Sequence, residues 1–136
     1  MKYWLLFISI FCISKSPAQN KDVLYDIIEN TSSAKLEESI RILANFGTRH
    51  TLSDTLSETR GIGAARRWIK SEFESISKNC GNCLDVFYQK NYFTPKDGDR
   101  IVKPVWINNV LAIQKGKTHP NRFIIMSGDI DSRISD

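Results

Sequence analysis

Apolar positions in this chain follow a helical period first and a strand-like one later. Between residues 22 and 29, Val23, Leu24, Ile27 and Ile28 fall on one side of a short helix. Asn30-Thr31-Ser32-Ser33 interrupts that pattern, and Ser33 is placed to cap a second helix. There Leu36, Ile40 and Leu43 follow at i, i+4 and i+7, while Glu37, Glu38 and Arg41 fall elsewhere and are expected in water. Gly47 is a natural stop. A polar, irregular stretch over 48–59 leads to a third helix predicted over 62–77. Its buried stripe is Ile62, Ala65, Ile69, Phe73 and Ile76, with Arg66, Lys70 and Glu74 facing solvent.

From residue 79 the pattern changes. Asn79-Cys80-Gly81-Asn82-Cys83 reads as a turn, and residues 84–89 as a strand. Residues 94–100, with Pro95 and Gly98, form a loop. Residues 101–114 are rich in β-formers, with Pro104 as an edge or bulge marker and Asn109-Val110-Leu111-Ala112-Ile113 as the most strand-like part. After a turn over 116–120, Phe123-Ile124-Ile125-Met126 has the character of a strand buried on both faces. Short links between strands favour antiparallel neighbours. The order predicts an α/β fold in which N-terminal helices pack on the start of a mixed β-sheet. No repeats or low-complexity tracts occur.

Length and charge narrow the picture. At 136 residues and net charge +4, the chain can build one domain. Residues 1–18 have the form of a secretory signal peptide: Lys2 at the start, an apolar run from Trp4 to Ile13, and Ser16-Pro17-Ala18 before the expected cleavage at Gln19. The apolar run is well short of the ~20 residues a spanning helix needs, so no stable membrane anchor is expected. Residues 19–136 then form the N-terminal part of the domain, in a secreted or periplasmic protein. Removing Lys2 and Lys15 takes the charge from +4 to +2, and no lysine or arginine run remains. A nucleic-acid partner is not expected.

Three features carry candidate chemistry. Asp129 and Asp131 follow the last apolar run. In extended backbone they point the same way, roughly 6.6 Å apart along the chain. Two such carboxylates repel unless a cation or a proton intervenes. A polar loop ending a strand is the plainer reading of the same residues. Cys80-x-x-Cys83 is read first as a local disulfide of an exported protein, worth about 2 kcal/mol; a zinc or redox pair and free thiols are the alternatives. His50, alone in a loop, is expected to be structural or exposed, and Trp68 and Trp106 to be packing residues. Gly61-Ile62-Gly63 lacks the preceding strand and third glycine of a dinucleotide fingerprint.

Read in order, four stretches resemble the secreted di-zinc aminopeptidases and their relatives. They are Leu43-Ala44-Asn45-Phe46-Gly47-Thr48-Arg49-His50, Arg60-Gly61-Ile62-Gly63-Ala64-Ala65-Arg66-Arg67-Trp68-Ile69, Asn108-Asn109-Val110-Leu111-Ala112, and Ile124-Ile125-Met126-Ser127-Gly128-Asp129-Ile130-Asp131-Ser132. The resemblance implies a three-layer α/β sandwich of the zinc-exopeptidase (phosphorylase/hydrolase-like) type. It also implies a metallopeptidase that uses two zinc ions to remove N-terminal residues from a peptide substrate. Family members carry His-x-Asp at the end of this strand. Asp131 matches the bridging aspartate, and Asp129 stands where the histidine is expected. A carboxylate can ligate zinc, but it favours harder cations than imidazole does. The family's general-base glutamate and remaining ligands lie downstream of this motif, so the chain resembles an N-terminal segment that is inactive by itself. A one-zinc glutaminyl cyclase on the same fold, and a peptidase-like binding domain without its metals, are the alternative functions.

Overall fold

The computed structural model describes residues 21–133, so the signal-peptide segment lies outside the described residues. Three helices precede two strands: α1 (Lys21–Glu29), α2 (Ser33–Asn45), α3 (Gly61–Asn79), β1 (Leu84–Phe93) and β2 (Val105–Gln114). The chain divides into two compact units, residues 1–37 and 38–136.

In the first unit, α1 is amphipathic in sequence, yet Val23, Leu24, Tyr25, Ile27 and Ile28 are all exposed. The cap of α2 lies one residue earlier than predicted. Ser32 Oγ, not Ser33, accepts from the Lys35 amide at 3.3 Å, the third helical position, where a capping oxygen reaches a donor the helix leaves unpaired.

In the second unit, α2 ends at Asn45 and the chain reverses through Gly47, whose φ of +68° favours glycine. Ile40 on its predicted apolar face is exposed, while Ile42 and Leu43 are half-buried. The core sits at the start of α3, where Ile62, Ala64 and Ala65 are buried. The N-cap of that helix, Arg60, offers no side-chain bond to the first turn. The preceding loop satisfies those amides instead. Gly61 N donates to Phe46 O at 2.9 Å and Gly63 N to Asp54 O at 3.1 Å. Ile62 N donates to Ser53 Oγ at 2.9 Å. Gly61 and Gly63 therefore serve close backbone packing: a Cβ on Gly63 would lie 2.2 Å from Thr55 O.

Two α3 expectations are corrected. Arg66 is buried, 7% exposed, rather than solvated. It lies one turn after Ile62, and α3 packs on both strands, so the covered arc is wider than the apolar stripe. Burial pulls the Arg66 guanidinium below its ordinary pKa, against a smaller upward pull from Tyr88. Ile76, expected in the stripe, is half-exposed. Lys70 does pair with Glu74, and its Nζ lies 5.9 Å from the centre of the Tyr88 ring.

A disulfide between Cys80 and Cys83 closes the turn from α3 into β1, with Gly81 and Asn82 at positive φ. Those sulfurs are thus not free to ligate a metal. Buried Ser77 fixes the same turn: its Oγ accepts from Leu84 N at 3.1 Å and donates to Leu84 O at 2.9 Å. The strands pair antiparallel, from Leu84 opposite Gln114 to Phe93 opposite Val105. Val86, Tyr88 and Tyr92 share a face with Trp106, Val110 and Ala112. Tyr92 and Trp106 meet at 5.0 Å between ring centres with their planes tilted by 53°, both more than half exposed. The prediction that Trp106 is a packing residue holds only for this pair.

The run at 123–126 is not a strand. Phe123, Ile124, Ile125 and Met126 are 78–94% exposed and the backbone there is irregular. A strand needs a neighbour to take its amides and carbonyls, and among the described residues β1 and β2 pair only with each other.

Candidate functional site

The segment carrying Asp129 and Asp131 is positioned by a residue that sequence reading passed over. Arg49 lies just beyond the Gly47 turn. Its Nε donates to Ile130 O at 2.8 Å. Its main-chain amide donates to Ser132 Oγ at 3.0 Å, and Ser132 N returns a bond to Arg49 O at 3.4 Å. Its Nη1 reaches back to the Leu43 and Gly47 carbonyls. The guanidinium thus ties the end of α2 to Ile130, a task suited to its fixed fork of donors, while the main chain of Arg49 holds Ser132.

Both candidate ligands are exposed. Neither Asp129 nor Asp131 makes a hydrogen bond or ion pair with a described residue. A cleft of about 260 Å³ lies beside this segment, lined by His50, Thr51, Arg100, Ile101, Asp131 and Arg133. Asp131 faces the cleft, and Asp129 is not among the lining residues.

His50, expected to be a bystander, shares the cleft with Asp131. Its Nδ1 accepts the Leu52 amide at 3.1 Å. A neutral imidazole accepting at Nδ1 carries its proton on Nε2. His50 can therefore donate a hydrogen bond in this arrangement, but it presents no second lone pair for a metal. The Thr48-Arg49-His50 string was visible in the sequence. What gives it meaning is a contact across more than eighty positions, which no local pattern encodes.

The next loop is also ordered by its own side chains. Asp54 Oδ1 accepts from the amides of Leu56 and Ser57 at 2.7 and 2.8 Å. Those bonds, Ser57's first, hold its carboxyl below the ordinary value. Arg67 of α3 closes over the loop by donating to the Thr55 and Ser57 carbonyls.

A zinc ion takes four ligands from oxygen, nitrogen and sulfur donors. Asp129 and Asp131 fit as two oxygen donors with no competing partner. No group of three or more histidine, cysteine, aspartate or glutamate side chains gathers among the described residues. Among the described residues, Asp129 and Asp131 therefore supply at most two oxygen donors of the four and do not by themselves form a zinc site.

The chain is similar to proteins named probable zinc metalloprotease. One from Pyrenophora teres f. teres is 40% identical over 120 residues, 88% of this chain and 24% of that protein. A relative from Pyrenophora tritici-repentis is 38% identical over 112 residues, covering 82% of this chain and 26% of its own length. One from Pyricularia oryzae is 40% identical over 103 residues, 76% of this chain and 20% of that protein. The chain spans about a quarter of the length of the curated relatives it matches. No protein-family profile matches it, and no solved structure does.

Proposed function

We propose that this chain is a segment of an exported zinc metallopeptidase that removes N-terminal residues from peptides. The similarity to probable zinc metalloproteases at 38–40% identity over most of the chain carries the reading. Two unpaired carboxylates on a segment pinned from a distance agree with it. In this reading the two strands and α3 belong to a larger mixed-sheet sandwich, and the exposed apolar run at 123–126 pairs within it. Asp131 is the principal ligand contributed here and Asp129 an auxiliary one. Zinc, when bound, supplies Lewis acidity and a water acidic enough to ionise near neutral pH. Arg49 orients the segment, and His50 Nε2–H offers a hydrogen bond to an anionic or carbonyl oxygen in the cleft.

The test is bound zinc and aminopeptidase turnover in the purified full-length protein that contains this segment and in its Asp131→Asn variant, measured together. The expected result is zinc in the parent and loss of both metal and turnover in the variant. A parent that hydrolyses peptides without zinc, or an Asp131→Asn variant that retains full zinc, defeats the reading.

A further inference from the structure

We propose that the cleft beside Asp131 binds a carboxylate of the peptide substrate, with Arg100 and Arg133 as its charged donors. That the carboxylate belongs to a peptide rests on the metallopeptidase reading; the charge of the cleft does not. Among the lining residues Asp131 is the single acid, set against the guanidiniums of Arg100 and Arg133. Asp131 makes no ion pair with a described residue, so neither arginine is occupied by it. Thr51 adds a hydroxyl to the lining. His50, accepting the Leu52 amide at Nδ1, keeps its ring proton on Nε2, available to donate. A guanidinium presents paired N–H donors that match the two oxygens of a carboxylate. Ile101 gives the cleft a half-buried apolar wall, and charge interactions strengthen where water is partly excluded.

The chain segments that form the cleft are held by bonds of their own. Residues 50–53 make a turn, in which Ser53 N donates to His50 O at 2.8 Å and Leu52 N to His50 Nδ1 at 3.1 Å. The bonds between the Arg49 main chain and Ser132, at 3.0 and 3.4 Å, set this turn beside Asp131 and Arg133. Arg100 follows a second turn. There Lys96 N donates to Asp99 Oδ2 at 2.7 Å, and Asp99 N to Lys96 O at 3.1 Å. Asp99 is thereby engaged within its own turn. Arg100 is exposed and has no hydrogen-bond or ion-pair partner among the described residues. Two guanidiniums that share a cleft repel each other, and an anion between them relieves that repulsion. A cleft of about 260 Å³ has room for the end of a short peptide or for one acidic side chain, either of which carries the carboxylate.

The experiment uses the full-length protein that contains this segment and three N-acetylated dipeptides, whose blocked amino ends an aminopeptidase does not process. They are acetyl-alanyl-alanine, its C-terminal amide, and acetyl-alanyl-glutamic acid amidated at its C-terminus. Binding is read by calorimetric titration in the parent, Arg100→Gln, Arg133→Gln and Lys103→Gln. Lys103 lies in the same loop as Arg100 but does not line the cleft, so its variant controls for the loss of one positive charge. The parent is expected to bind a carboxylate peptide about 10-fold more tightly than the uncharged amide, the effect of one hydrogen bond to a charged group. Preference for the free end assigns the cleft to a peptide terminus, and preference for the glutamyl peptide assigns it to an acidic side chain. Arg100→Gln and Arg133→Gln should each lose most of the preference, and Lys103→Gln should keep it. Equal parental affinity for all three peptides overturns the proposal. So does a preference that survives in either arginine variant, or one that Lys103→Gln loses equally. Zinc content and turnover of the same parent sample keep the two readings apart. A carboxylate preference without zinc or turnover overturns the metallopeptidase reading and leaves the anion cleft, whereas zinc and turnover without the preference overturn the cleft alone.

Discussion

Replacing Gly63 by alanine sets two physical rules against each other. Gly63 is the third residue of α3, and alanine is about 1 kcal/mol better than glycine inside a helix. On propensity alone the substitution stabilises. The structure predicts the reverse. The new Cβ would meet Thr55 O at 2.2 Å, Thr55 C at 2.5 Å and Thr55 Cα at 2.7 Å. All three are backbone atoms, so no rotamer change relieves the clash. The loop or the helix must move by the better part of an ångström, and such overpacking costs about 1–3 kcal/mol. That movement also strains the bonds from Gly63 N to Asp54 O and from Ile62 N to Ser53 Oγ, each worth about 1 kcal/mol. Setting the propensity gain against these leaves a destabilisation of roughly 3 kcal/mol. With a urea m-value of about 1–3 kcal/mol/M, the unfolding midpoint should fall by about 1 M or more. Gly81→Ala is the control. Nothing lies within 4 Å of its Cβ, but φ is +74°, so it carries only the left-handed penalty of about 1–2 kcal/mol. A Gly63→Ala midpoint at or above that of the parent would refute the contact between α3 and the 54–55 loop.

Other predictions follow from single contacts. Ser77→Ala leaves the main-chain N–H and C=O of Leu84 without their partner and should cost about 1–3 kcal/mol in urea unfolding, since buried polar groups lose their full compensation. Cys80→Ser with Cys83→Ser should cost about 2 kcal/mol, the closure entropy of so small a loop, and thiol titration of the denatured parent should find neither Cys80 nor Cys83 free. Asp54 is held below its ordinary pKa of 3.8 in the folded state, so its contribution is present above that value and is lost as the pH falls through the lower, folded-state value. Asp54→Asn should therefore be less stable than the parent at neutral pH, and the gap should close as the pH falls below 3.8 and on through the lowered folded-state value, where the carboxyl takes up its proton. A gap that is constant across that range would contradict the Asx-turn account.

The helices, the turn at Gly47, the disulfide turn and the two paired strands were legible because each is written in local spacing. Apolar residues at i and i+4, glycine where φ turns positive, and a Cys-x-x-Cys step leave their mark within a few positions. The two-aspartate segment was also legible as chemistry, since Asp129 and Asp131 sit in an unusual pair after an apolar run. Periodicity could not predict that Arg66 is buried, because it reports an apolar stripe and not the width of the surface that covers it. Nor could composition distinguish a buried strand at 123–126 from an exposed one: Ile124-Ile125-Met126 is strand-like in itself, but a strand exists only with a neighbour to complete its ladder. The role of Arg49 belongs wholly to the tertiary structure. Its partners are Leu43, Gly47, Ile130 and Ser132, two of them more than eighty residues away. Only folding brings one guanidinium within reach of both a helix end and a distant loop.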